Sequence, residues 1–165
     1  MKCSEYINEE SDEDSENNFT YEDILNEYFN ICENIPKIDT LVDVGNGYYR
    51  IIQNHYSLND TLIVPKKYDW REKPKDFLTH NFASEFILIN NEDTLLKREI
   101  KKSDFSSLLD WNLSNYAILF PPSFDGFNDS LKVFQFYYNI CIPITDIGID
   151  VKLSIDLQGN ISICK

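Results

Sequence analysis

The sequence predicts an α+β fold: one domain, mainly antiparallel β-sheet with one or two packed helices, behind a mobile acidic N-terminal arm. Three observations carry this reading. The 165 residues are 42% apolar and 14% aromatic, a globular composition in a chain of one-domain size. A single strong helical period occupies residues 20–35. Beyond it, short apolar runs alternate with polar residues and are broken by Gly, Pro and Asn, as in strands with one wet face. The expected boundaries are an arm over 1–18 and a domain over 19–165.

The helix comes first. In "FTYEDILNEYFNICENIP", Thr20 stands at the cap position, and Asp23 three residues later gives a short version of the capping box. Phe19 and Ile24 occupy the staple positions. Ile24, Leu25, Tyr28, Phe29, Ile31, Cys32 and Ile35 form one stripe, and Pro36 ends it. Glu22, Asp23, Glu27 and Glu33 fall on or near the other face.

Strands follow. "IDTLVDV" and "GYYRIIQN" flank Gly45-Asn46, a tight-turn dipeptide that predicts a hairpin. "TLIVP" and "EFILIN" read as short strands, and "QNHYSLND", with His55, reads as a loop. A second helix is expected over "SDFSSLLDWNL", capped at Ser103. "YAILF" is a buried-type strand stopped by Pro121-Pro122, and "FPPSFDGFNDS" reads as a loop displaying Phe124 and Phe127. "LKVFQFYYNICIPI" is a long or bent strand. "DVKLSIDL" and "ISICK" alternate cleanly on either side of the turn "QGN".

Charge is unevenly spread. Residues 1–33 hold eleven acids and one base, whereas residues 34–165 hold seventeen acids and fourteen bases. Most of the net charge of −13 therefore sits at one end. Such an end repels phosphate, which argues against direct nucleic-acid binding, and it suits a basic protein partner. "KKYDWREKPK" and "KREIKK" are basic clusters diluted by acids, and they read as solvated faces. There is no apolar run of membrane-span length and no signal-type apolar segment after Met1. Cys3, Cys32, Cys141 and Cys164 lack C-x-x-C spacing, so free thiols in a cytoplasmic protein are expected.

Motifs for chemistry fail on inspection. A calcium loop starting at Asp12 places Asp14, Glu16, Phe19 and Asp23 at positions 3, 5, 8 and 12, but it has Asn17 where glycine makes the turn. "VDVGNGYY" lacks the third glycine and the following helix of a dinucleotide site. No serine stands in a nucleophile elbow. The cysteines fall on apolar stripes, where a structural role outweighs a nucleophilic one. No catalytic residue, metal ligand or cofactor is expected.

In charge, size and want of an active-site motif, the chain resembles small acidic inhibitors, such as the immunity proteins bacteria keep against their own nuclease toxins. The resemblance implies a non-enzymatic inhibitor that neutralises a basic partner. The residues expected to meet that partner are Glu22, Asp23, Glu27 and Glu33 on the helix, with Phe124 and Phe127 as aromatic anchors. A general interaction adaptor, and a small-ligand-binding domain or enzyme, are the alternatives.

Overall fold

Alternation along the strands sets the architecture. In β2 (Tyr48–Ser57), Tyr49, Ile51, Gln53 and His55 share one buried face, as do Phe82, Ser84, Phe86 and Leu88 in β5 (Phe82–Asn90). These strands are the middle of a four-stranded antiparallel sheet ordered β1–β2–β5–β6, with β1 (Ile38–Asp43) and β6 (Asp93–Lys101) at its edges. The second sheet is built on β9 (Val133–Cys141) and β10 (Gly148–Asp156), which bury Phe134, Phe136, Tyr138, Ile140, Val151, Leu153 and Ile155. The computed structural model describes residues 20–35 and 37–164. The arm over 1–18, with its candidate calcium positions, and Phe19 and Pro36 lie outside the described residues.

On one side of the second sheet, β11 (Ile161–Cys164) pairs with β10. On the other, β7 (Ile118–Leu119) and β8 (Ser123–Asn128) lie end to end along β9. Pro121 and Pro122 fall at the break between them, because neither has an N–H to give the ladder. A two-stranded ribbon of β3 (Leu62–Val64) and β4 (Phe77–Thr79) completes the strands among the described residues. The two large sheets share one core. Phe86 meets Phe136 edge-on with centroids 4.8 Å apart, and Tyr49 lies against Phe134 at 5.7 Å. Each such buried ring contributes roughly 1.5–3 kcal/mol by leaving water.

Among the described residues the protein is therefore mostly antiparallel β with two short α-helices, α1 (Tyr21–Glu33) and α2 (Trp111–Tyr116). The expected single sheet carrying its helices resolves into two large sheets and the small β3–β4 ribbon. Three other expectations need correction. The second helix splits into a 3-10 segment, Lys102–Leu108, and α2. Asp104 accepts the Lys101 N–H and Asp110 the Leu113 N–H, both at 2.8 Å, so two acids start two segments and Ser103 caps neither. The expected loop with Phe124 and Phe127 is β8, whose rings pack on Phe136 and Phe134 at 5.0 and 5.1 Å. His55 lies in β2 and not in a loop. "DTLLKREIK", to which the sequence reading gave no element, is β6, an edge strand in which only Ile100 is buried and the basic residues Lys97 and Arg98 face solvent. Among the described residues no helix is long and apolar enough to cross a membrane.

The sheets also meet at a turn. Between β10 and β11 the Gly159 N–H bonds the Asp156 carbonyl at 3.0 Å, and the Asp156 carboxylate accepts the N–H groups of Gln158 and Asn160 at 2.8 Å. Gly159 has φ +86°, and a Cβ there would lie 2.7 Å from the Leu95 carbonyl oxygen of β6. Gly159→Ala should therefore destabilise by about 2 kcal/mol, through left-handed strain and a backbone clash. Urea unfolding checks this: the midpoint should fall with an unchanged m-value.

Candidate functional site

Helix α1 starts where its sequence says it should. The Asp23 N–H donates to Thr20 Oγ1 at 3.2 Å, and the Asp23 carboxylate accepts the Thr20 N–H at 2.9 Å and its hydroxyl at 2.6 Å. The Thr20 hydroxyl, and then its N–H, hold the Asp23 carboxyl below its ordinary range. Asp23 is thus committed to the cap.

Two anchors fix the helix. In its middle, Tyr28 is buried with Leu62, Phe82, Ile118 and Ile144, and its hydroxyl bonds that of Thr79. Its ring meets Phe77 at 5.3 Å and Phe120 at 6.2 Å, both edge-on. At its start, Tyr21 packs on Trp70 at 5.6 Å and under the Arg71 guanidinium at 4.1 Å. Arg71 is gripped by the buried carboxylate of Asp69 at 2.5–3.0 Å, which also accepts the Lys75 N–H at 2.8 Å. The guanidinium foremost holds the Asp69 carboxyl well below the usual carboxylate range. Of the basic cluster 66–75, Arg71 is therefore structural.

Between these anchors the helix stands off the body and leaves a groove of about 630 Å³. Ile24, Tyr28, Ile31, Phe120, Pro121 and Ile144 make it apolar, and Glu27, Asn30, Asn34, Asn139 and Thr145 add its polar groups. Among the described residues no Lys or Arg lines it. A second groove of about 540 Å³ shares Ile24, Ile144 and Thr145 and continues past Lys67, Tyr68, Trp70, Asp146 and Ile147.

Ile144, common to both grooves, is the unusual residue. It occupies the third position of the turn Ile142-Pro143-Ile144-Thr145, closed by the Thr145 N–H on the Ile142 carbonyl at 3.2 Å. Its φ is +60°. Pro at the second position and a positive φ at the third are the signature of a type II turn, where glycine is expected. A β-branched residue there is strained. The surroundings enforce it: Thr145 Oγ1 donates to the Ile142 carbonyl at 2.8 Å, and the Ile142 N–H bonds the Ile147 carbonyl at 2.9 Å. The Ile144 side chain is left 6% exposed beside Tyr28.

The titratable groups nearby are quiet. Burial pushes the Cys141 thiol up to about 11, and it faces the Thr145 carbonyl at 3.2 Å. Burial also raises the Cys32 thiol. Both remain thiols at neutral pH, not nucleophiles. His55 is stacked on Phe82 at 5.4 Å with Nδ1 2.8 Å from Ser84 Oγ, and burial lowers it to about 4. Among the described residues no group of three or more His, Cys, Asp or Glu side chains could hold a metal ion.

Of the residues singled out in the sequence, Glu22, Asp23, Glu27 and Glu33 are exposed along α1, and Glu27 reaches the groove. Phe124 and Phe127 pack against the sandwich core, a different cluster from the one α1 joins. They are half-buried, and the structure does not bring them to the groove. Sequence reasoning missed Ile144, although "IPIT" carries the proline of a type II turn.

Residues 84–163 match a family described as a domain of unknown function (DUF4738). The match runs from Ser84 in β5 to Ile163 in β11, so it includes the Ile144 turn and α2 and excludes α1. Among curated proteins none matches the chain.

Proposed function

We propose that this protein is a non-enzymatic, acidic protein-binding module acting in the cytoplasm. In this reading it is an inhibitor of the immunity type that neutralises a basic partner such as a nuclease toxin. The observation that carries the reading is the strained Ile144 between two apolar grooves, beside a helix more acidic than its own stability requires. Glu22 and Asp23 in the first turn favour the helix dipole, but Glu33 stands at the opposite end, where no base accompanies it. Charge kept against the helix's interest supports a role outside the helix. An apolar groove with an acid at its edge suits an apolar side chain flanked by bases, and the surrounding acids would steer such a partner in.

The test is association kinetics against the partner captured from host extract and then purified. The triple variant Glu22→Lys, Glu27→Lys, Glu33→Lys should associate about tenfold more slowly at low salt, and the difference should shrink as salt rises. Asp23 is left alone, because its reversal would remove the cap. Equal rates for wild type and the triple variant at both salt concentrations would sink the steering role. Glu33→Lys alone should raise the melting temperature slightly, since it corrects the helix end.

A second reading, a small-ligand-binding domain, is favoured by the groove's volume, which lies within the roughly 300–1,000 Å³ of ligand sites. Apolar fragments that raise the melting temperature of wild type but not of Ile31→Asp would support it.

A further inference from the structure

We infer that Tyr68, Trp111 and Tyr116 form an aromatic cage for a methylated ammonium group, which the chain closes with its own Lys67. The Lys67 ammonium lies over all three rings, 4.6 Å from the centroid of Tyr68, 5.4 Å from Tyr116 and 6.0 Å from Trp111. The rings are walls, not a stack. Tyr68 and Tyr116 are 5.6 Å apart and inclined at 59°, and Trp111 meets Tyr116 at 5.5 Å and 83°. Their faces thus converge on one corner, where the ring quadrupoles add for a cation.

The fold holds these walls in place. Asp110 caps α2 through the Leu113 N–H, so one short helix supplies Trp111 at its start and Tyr116 at its end. Tyr68 comes from the 3-10 turn Lys66–Tyr68, and its hydroxyl donates to Asn112 Oδ1 at 2.8 Å, tying the third wall to the helix. The cage is therefore set before any ligand arrives. Tyr68 and Tyr116 pack against the sandwich core, whereas Trp111 is 66% exposed, a large apolar side chain displayed at the open side of the corner.

Lys67 is a weak occupant. Its side chain is exposed, its one hydrogen bond, to Asn112 Oδ1, is 3.4 Å long, and no ion pair holds it among the described residues. A primary ammonium is also strongly hydrated and gives up much to enter a ring corner. A methylated ammonium carries the same charge with less hydration to lose, which is why aromatic cages select it. Displaced, Lys67 swings into solvent. The cage adjoins the second groove through Lys67 and Tyr68, but its evidence is the ring geometry and not the acidity of α1.

Tetramethylammonium chloride titrated into the full chain, followed by NMR of ring and indole protons, tests the inference. Trp111 and Tyr116 signals should shift saturably, while ammonium chloride at equal ionic strength leaves them in place. Lys67→Ser should tighten binding about fivefold, because the internal competitor is gone. Trp111→Ala should abolish the shifts, and its exposure makes it safe for the fold. Choline and a trimethyl-lysine peptide then separate the two sources of the group: whichever binds more tightly names the ligand, and neither binding overturns the proposal. Equal shifts from ammonium chloride, or no saturation even in Lys67→Ser, would also overturn it.

Discussion

Lowering the pH from 7 to 5 is expected to remove about 2 kcal/mol of stability, and about 3 kcal/mol by pH 4, chiefly through one residue. His55 is buried on the core face of β2 and lowered to about 4 by desolvation, against about 6.5 for an unfolded histidine. Between those two values the unfolded chain takes up a proton that the folded chain refuses. The unfolded state therefore binds more protons, and stability rises with pH across the window. The loss begins near pH 6.5 as pH falls and is complete below about 4. Ordinary carboxylates titrate only at the acid end, so the slope between pH 6.5 and 5 belongs to His55. Urea unfolding across pH 5–7 measures it. His55→Leu should lose some stability at pH 7, because Ser84 Oγ gives up its imidazole partner, yet its stability should be nearly flat over the same range. A wild type already flat there would show that the imidazole is not held neutral by burial.

His55 also shows where local reading stops. "QNHY" looks like the wet end of a hairpin, because Gln53 and His55 occupy strand positions that periodicity assigns to apolar residues. Their neighbours on β5 and in the second sheet decide otherwise. The capped helix, the Gly45 turn and the β10–β11 hairpin were all legible, since each depends on residues within one turn or one strand pair. The division into two sheets was not: alternation tells which face of a strand is buried and says nothing about which sheet it joins. β6 was hidden for the opposite reason, as an edge strand whose face toward water leaves little apolar pattern. The site follows the same rule. Its acids were visible as a charge run, but the groove needs α1 laid beside a turn more than a hundred residues away. The aromatic cage likewise joins Tyr68 to Trp111 and Tyr116 across more than forty residues of sequence.

At Ile144, glycine is expected to be tolerated better than alanine, the reverse of the usual order in a buried position. Ile144→Ala removes most of a buried side chain and keeps a residue with a Cβ at φ +60°, so the strain stays and about 3 kcal/mol is lost. Ile144→Gly removes slightly more, but it restores the residue that a type II turn calls for and relieves about 1–2 kcal/mol of left-handed strain. Part of that relief is offset by glycine's freedom in the unfolded chain, which leaves Ile144→Gly about 1 kcal/mol more stable than Ile144→Ala. Urea denaturation of the two variants side by side decides the order. Alanine as the more stable of the two would mean that the turn bears no strain worth relieving. Binding separates stability from function: both variants delete the ridge common to the two grooves, so both should lose affinity for the captured partner to a similar degree, despite their different stabilities. A loss that tracked stability instead, with Ile144→Gly binding nearly as wild type does, would make Ile144 a support of the fold and move the contact elsewhere on α1. A loss that tracks the side chain would explain why the chain keeps isoleucine where glycine would fit.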